Sequence, residues 1–175
     1  MKKLIILLLL ATTTQAQIYV SSGIDVRNAI TGSEPTNMQP ALDVITKIHL
    51  VGKSVECTVQ YERFSKIGFD KFAFGVGYQF PLYGNVFGKT IKTTIIPSFE
   101  PTLIGRWKTP NSGEFDSRSS HLSLGGSMTV KWDISESFSF GIVGNMLYRT
   151  DLAAKYNTKV PIIYSNYLTV FYKIN

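Results

Sequence analysis

Period-two alternation runs through most of this sequence, and it confines the chain to strands with two unlike faces. Leu42, Val44, Thr46, Ile48 and Leu50 alternate with Asp43, Ile45, Lys47 and His49. After Gly52-Lys53, read as a two-residue turn, Val55, Cys57, Val59 and Tyr61 alternate with Glu56, Thr58, Gln60 and Glu62. A third run sets Phe72, Phe74, Val76, Tyr78 and Phe80 against Ala73, Gly75, Gly77 and Gln79. Extended along the chain, the pattern predicts eight strands, near 18–29, 41–51, 54–64, 69–80, 89–105, 119–132, 138–149 and 161–174. The connections alternate between longer and shorter, apart from a short third one. That is the asymmetry of an up-and-down antiparallel barrel with long loops at one end and tight turns at the other. No linker or low-complexity tract divides the chain, so residues 17–175 read as one barrel domain.

Alternation leaves open which face turns inward. A lipocalin-like soluble barrel would hide its apolar face, and a membrane barrel would turn it to lipid. The second face decides the matter. It carries Gly23, Gly75, Gly77, Ser98, Gly125, Ser127, Gly141 and Ser165, small residues that suit an eight-stranded interior just wide enough for its own side chains. The same face carries balanced charge: Asp25, Asp43, Glu56, Glu62 and Glu100 against Arg27, Lys47, Lys92, Lys131 and Arg149. Charges enclosed in a barrel must pair, because an isolated buried ion costs several kcal/mol or more. On the apolar face, Tyr78, Phe80, Trp132, Phe138 and Tyr172 fall near one end of their strands. Tyr61, Phe72, Trp107 and Tyr148 fall near the other. Two such girdles are what the membrane–water interfaces select.

The N-terminus has the order of an export signal. Lys2-Lys3 precede the apolar run Leu4–Ala11, and Thr14-Gln15-Ala16 supplies small residues for cleavage, so residues 1–16 read as a signal peptide. That run is far short of the roughly 20 residues a membrane helix needs. Charged residues are 17% of the chain and aromatics 13%, which argues against long disorder. One Cys and two His exclude a disulfide framework and a Cys-based zinc site, and leave little scope for a His-rich metal centre. Cys57 falls on the lipid face as a small hydrophobe. Gly75-Val76-Gly77 lies inside a strand, so it is no phosphate loop, and no basic aromatic cluster points to nucleic acid. No cofactor, metal or oligomeric state is indicated.

These residues together resemble the small outer-membrane β-barrels of the OmpA and OmpX type, over the whole of 17–175 and by pattern rather than by motif. The resemblance implies an outer-membrane location and a role as surface anchor, adhesin or envelope-integrity protein, or as a lipid-modifying enzyme. An eight-stranded interior argues against an open pore. A soluble periplasmic ligand-binding barrel is the remaining alternative.

Two features bear on chemistry. His121 and Ser123 share the inward face of the sixth strand, with Glu100 expected opposite, and these are the parts of a hydrolase site. The spacing resembles the His-x-Ser of outer-membrane lipid A deacylases, and an interior hydrogen-bond network is the other reading. Pro97 and Pro101 stand four apart in the fifth strand, so both remove ladder donors from one seam, unless they mark a bulge. Partners are expected at the long loops 30–41, 106–118 and 150–160. There Arg106, Lys108, Arg118, Arg149, Lys155 and Lys159 stand at the level of lipopolysaccharide phosphates, and surface proteins have room to dock.

Overall fold

Nine strand segments build eight staves of one closed antiparallel sheet. The structure is a computed structural model and describes residues 17–32, 39–86, 89–106, 119–156 and 159–174. In chain order it contains β1 (Gln17–Asp25), α1 (Val26–Ile30), β2 (Asp43–Gly52), β3 (Val55–Phe64), a 3-10 turn (Ser65–Ile67), β4 (Phe69–Tyr78) and β5 (Phe80–Val86). Then follow β6 (Lys89–Arg106), β7 (Ser119–Asp133), β8 (Phe138–Tyr148), α2 (Thr150–Tyr156) and β9 (Ile162–Lys173). Each stave pairs with its sequence neighbour, β1 pairs with β9, and β4 pairs with β6 to complete the ring. This is the up-and-down eight-stranded barrel that the alternation implies. The expected export signal, residues 1–16, lies outside the described residues.

Burial follows the alternation and has the polarity of a membrane protein. Lys47, Lys71, Glu56, Glu62, Glu100 and Lys131 are buried inside, while Phe74, Val76, Tyr78, Phe99, Leu124 and Val170 are exposed outside. A wall of this kind cannot face water without a large unfavourable apolar surface, so it faces lipid. Among the described residues no helix is long and apolar enough to cross a membrane. Tyr78, Phe80, Phe138 and Tyr172 are exposed at the level of the chain termini, with Trp132 half-buried and stacked on Phe140. Tyr61, Phe72 and Tyr148 are exposed nearer the opposite end, and Trp107 lies outside the described residues.

The structure corrects several local expectations. The first strand stops at Asp25, whose side chain accepts from the Asn28 backbone N–H 2.8 Å away and caps α1. Arg27 therefore leaves the wall and is exposed on α1, outside the interior charge network. The β2–β3 turn is Lys53-Ser54, one residue later than Gly52-Lys53, with Lys53 in the left-handed region at φ 49°. Both faces are preserved, because the pairing shifts by two residues and the side-chain period is two. The fourth stave does not end near residue 80. It breaks at Gln79 and resumes as β5, which pairs with residues 89–95 of β6 in the same register as β4. Pro81 and Gly84 suggest a loop, but the pairing of Phe80–Val86 with residues 89–95 makes them part of a two-stranded ribbon. Beyond Thr93 that ribbon has no partner in β7, so it projects past the barrel at the end holding both termini.

The prolines mark a seam. From Thr93 to Arg106, β6 pairs with β7 without a break, Pro97 and Pro101 included. On its other side the ladder runs from Phe69–Arg106 to Ala73–Thr102, resumes at Val76–Phe99 and Gly77–Ser98, and resumes again at Phe80–Ile95. The two gaps fall opposite Pro101 and Pro97. Register is identical on both sides of each gap, which excludes a bulge, since a bulge would add a residue. Replacing both prolines by valine should therefore raise stability by about 0.5–1.5 kcal/mol per restored ladder bond. It should also slow amide exchange at the β4–β6 seam relative to other seams at the same depth. Exchange measured in detergent checks this, and protection already uniform across β4, β6 and β7 would contradict it.

Candidate functional site

In the interior, polar and titratable side chains from every stave face one another, and it is filled in three levels. At the middle, Lys47 on β2 reaches across the lumen to Glu100 on β6, with Nζ 2.9 Å from Oε1. Glu100 also accepts from Ser127 at 2.6 Å on β7 and from Asn145 at 3.4 Å on β8. One carboxylate thus ties together four staves. The neighbouring staves add Lys71 Nζ 2.5 Å from Glu62 Oε2. Small residues make room for these chains: a Cβ at Gly75 would strike the Thr58 hydroxyl, and one at Gly141 the Val130 carbonyl.

Toward the end remote from the termini, Phe64, Ile67, Phe69, Ile104 and Leu147 form an apolar layer. Above it, Arg106 and Arg149 both bond Asp151, with Nε and Nη2 each 2.7 Å from Oδ2. The two guanidinium groups lie 5.6 and 4.6 Å from the centre of the Phe69 ring. The alternation puts Arg149 on the inward face, whereas Arg106 stands by sequence at the start of an outer loop and Asp151 within one. The structure buries all three, because α2 folds its first turn back over the barrel mouth and brings Asp151 to the strand-end arginines. Burial alone would raise the Asp151 carboxyl. The hydrogen bond and charge of Arg149, with the charge of Arg106, instead hold it below its ordinary value. A depressed folded-state pKa means that this contribution to stability is complete above the ordinary aspartate range and is lost as pH falls through the folded value. Thermal midpoints measured from neutral pH down to about pH 3 should fall more steeply in the parent protein than in Asp151→Asn, which has no carboxyl to titrate there.

Near the termini, Ser21 Oγ and His49 Nε2 are 2.7 Å apart, and His49 Nδ1 is 2.8 Å from Glu56 Oε1. Gln79 donates to the other Glu56 oxygen at 2.7 Å. The two ring nitrogens of His49 thus face different partners, Nδ1 the Glu56 carboxylate, which accepts, and Nε2 the Ser21 hydroxyl. This is the order of nucleophile, base and orienting carboxylate, but Ser21 is only 1% exposed. Lys131 closes this level, 4.4 Å from the centre of the Tyr19 ring and 3.7 Å from Asp133. Lys92 meets Asp133 at 3.5 Å with its side chain 42% exposed, so it stands at the rim rather than inside.

The residues singled out as a hydrolase site do not come together. Ser123 donates to the Tyr148 backbone carbonyl, and Glu100 is occupied by Lys47, Ser127 and Asn145. His121 pairs with Ile104, near the mouth, and Glu100 is opposite Gly125 rather than Ser123. The chain Ser21–His49–Glu56 was missed. Its signal was present in the hairpin, where a two-residue turn brings His49 and Glu56 to the same face one diagonal step apart, Glu56 opposite Val51.

Among the described residues no group of three or more His, Cys, Asp or Glu side chains could hold a metal ion. On the outer wall, an apolar groove of about 920 Å³ runs over the proline seam, floored by Gly126 and Gly144 and walled by Phe99, Met128, Met146 and Tyr164.

No family model and no curated protein matches the sequence. Among solved structures, the crystal structure of Neisserial surface protein A is similar over 90% of this chain and 94% of that chain, at 12% identity and a TM-score of 0.48.

Proposed function

We propose that this chain is an outer-membrane barrel that serves as a surface anchor, adhesin or envelope-integrity element and holds no open pore. The observation that carries the reading is the Lys47–Glu100 ion pair, which spans the lumen at mid-height and ties in Ser127 and Asn145. An apolar layer of Phe64, Ile67 and Phe69 lies beyond it toward the mouth remote from the termini, and a second apolar cluster of Ile45, Val143, Tyr167 and Phe171 packs beside it. An ion could pass only by breaking buried pairs. The apolar wall meets membrane lipid. Lipopolysaccharide contact falls to exposed loop cations such as Lys159, because Arg106 and Arg149 are committed to Asp151. Surface protein partners would meet the connections between β1 and β2, β6 and β7, and β8 and β9. Export by the N-terminal segment belongs to the same reading.

Planar-bilayer recording on the refolded barrel tests it. The expected result is no steady conductance, and discrete long-lived channel steps would overturn the plugged-anchor reading. Fractionation of cells should place the protein in the outer membrane. A lipid-acting enzyme is the second reading, and the hydrogen-bonded Ser21–His49–Glu56 chain is the observation in its favour. A fluorophosphonate that labels the parent barrel but not Ser21→Ala would support it; no labelling would remove it.

A further inference from the structure

The interior charges do not all balance. Asp25 ends β1 and Asp43 begins β2, one step beyond the pair Ile24–Val44, so the two carboxylates face each other on adjacent staves. Both are buried, at 1% and 2% exposure. Glu62 stands diagonal to Asp43 on β3, opposite Ile45. Lys71 serves Glu62, and among the described residues no lysine or arginine forms an ion pair with Asp25 or Asp43. Like charges directly opposite each other in a sheet destabilise it, and a buried unpaired carboxylate costs far more.

Asn28 adds an independent sign. It is buried on α1, its backbone N–H donates to Asp25 Oδ1, and its Nδ2 donates to Asp43 Oδ2 at 3.1 Å. The backbone of Asn28 thus holds one carboxylate and its side chain the other. Yet Asn28 Oδ1, Asp25 Oδ2 and Asp43 Oδ1 all lack a hydrogen-bond partner. All three are oxygens, and all are acceptors. Tyr167, in register with Asp25, brings one buried hydroxyl that also lacks a partner, and that hydroxyl with one shared proton makes two donors for three acceptors. A hard cation takes oxygen ligands of this mixed kind together, two carboxylates and an amide, and completes its shell with backbone carbonyls and water.

We propose that Asp25, Asn28 and Asp43 form a site for a hard divalent cation of the calcium class at the barrel mouth remote from the termini. Such an ion would neutralise the facing carboxylates and fasten α1, and with it the start of the β1–β2 connection, to the barrel rim. The site depends on neither the plugged interior nor the direction of insertion.

The full chain, refolded in detergent, can be titrated with Tb³⁺ as luminescent probe, excited through tyrosine. The expected result is saturable emission displaced by Ca²⁺, together with a thermal midpoint that rises with Ca²⁺ relative to EDTA. Asp43→Asn should weaken binding at least tenfold, and Asp133→Asn, at the other end of the barrel, should leave it unchanged. Should Asp43→Asn not fold, Asn28→Asp provides the second arm: a third carboxylate should tighten Tb³⁺ binding several-fold. The proposal is overturned if Ca²⁺ and EDTA give the same midpoint while Asp43→Asn is more stable than the parent, the signature of two carboxylates sharing a proton. Emission that ignores Asp43→Asn or Asn28→Asp overturns it too, because the ion then sits elsewhere.

Discussion

Replacing Lys47 by methionine should destabilise the barrel by about 3–5 kcal/mol, because it leaves Glu100 charged and enclosed without its ammonium. Glu100 is 1% exposed, and among the described residues Ser127 and Asn145 would remain as its hydrogen-bonding side chains. Those neutral donors do not replace a charge 2.9 Å away. The double variant Lys47→Met with Glu100→Gln should recover most of the loss, since removing both charges removes the desolvation cost along with the attraction. Urea unfolding in detergent or lipid vesicles checks both. A neutral single variant would mean that water reaches Glu100, and the lumen could not then be closed at this level.

The faces of the wall were legible because a barrel stave has one period and no choice of partner. Once Lys47, Glu56, Glu62 and Glu100 are known to share a face, their burial follows. Legibility ended where the period did. Arg27 continues the alternation of β1 in sequence, but the Asp25 cap turns the chain into α1 and carries Arg27 outside. Asp151 reads as loop charge, and only the first turn of α2 brings it between Arg106 and Arg149. In both cases a short helix at a strand end, with no periodic signal of its own, decided the position of a charge.

Contacts across the lumen were harder still. Lys47 and Glu100 are 53 residues apart and meet because of the number of staves between them, which alternation does not encode. Ser21, His49 and Glu56 depend on two registers at once, β1–β2 and β2–β3. The proline seam, by contrast, is local. Two prolines four apart must remove donors on the same side, and only the identity of the neighbour, β4 rather than β7, required the fold.

The second large effect concerns the outer wall. Val59→Arg should cost about 2–4 kcal/mol if Val59 lies near the bilayer midplane, and Val130→Arg should act in the same direction. In register Val59 is flanked by Ile48 and Phe74, and Val130 by Ile95 and Ile142, so neither position offers a carboxylate to a new guanidinium. In water, arginine at an outward strand position would be close to neutral. The sign and size of the change therefore report the solvent outside the wall. Refolding into lipid vesicles with denaturant titration measures it. Neutral results at both positions, with a barrel soluble in the absence of detergent, would mean that the wall faces water, and the inside-out burial of this chain would need another cause.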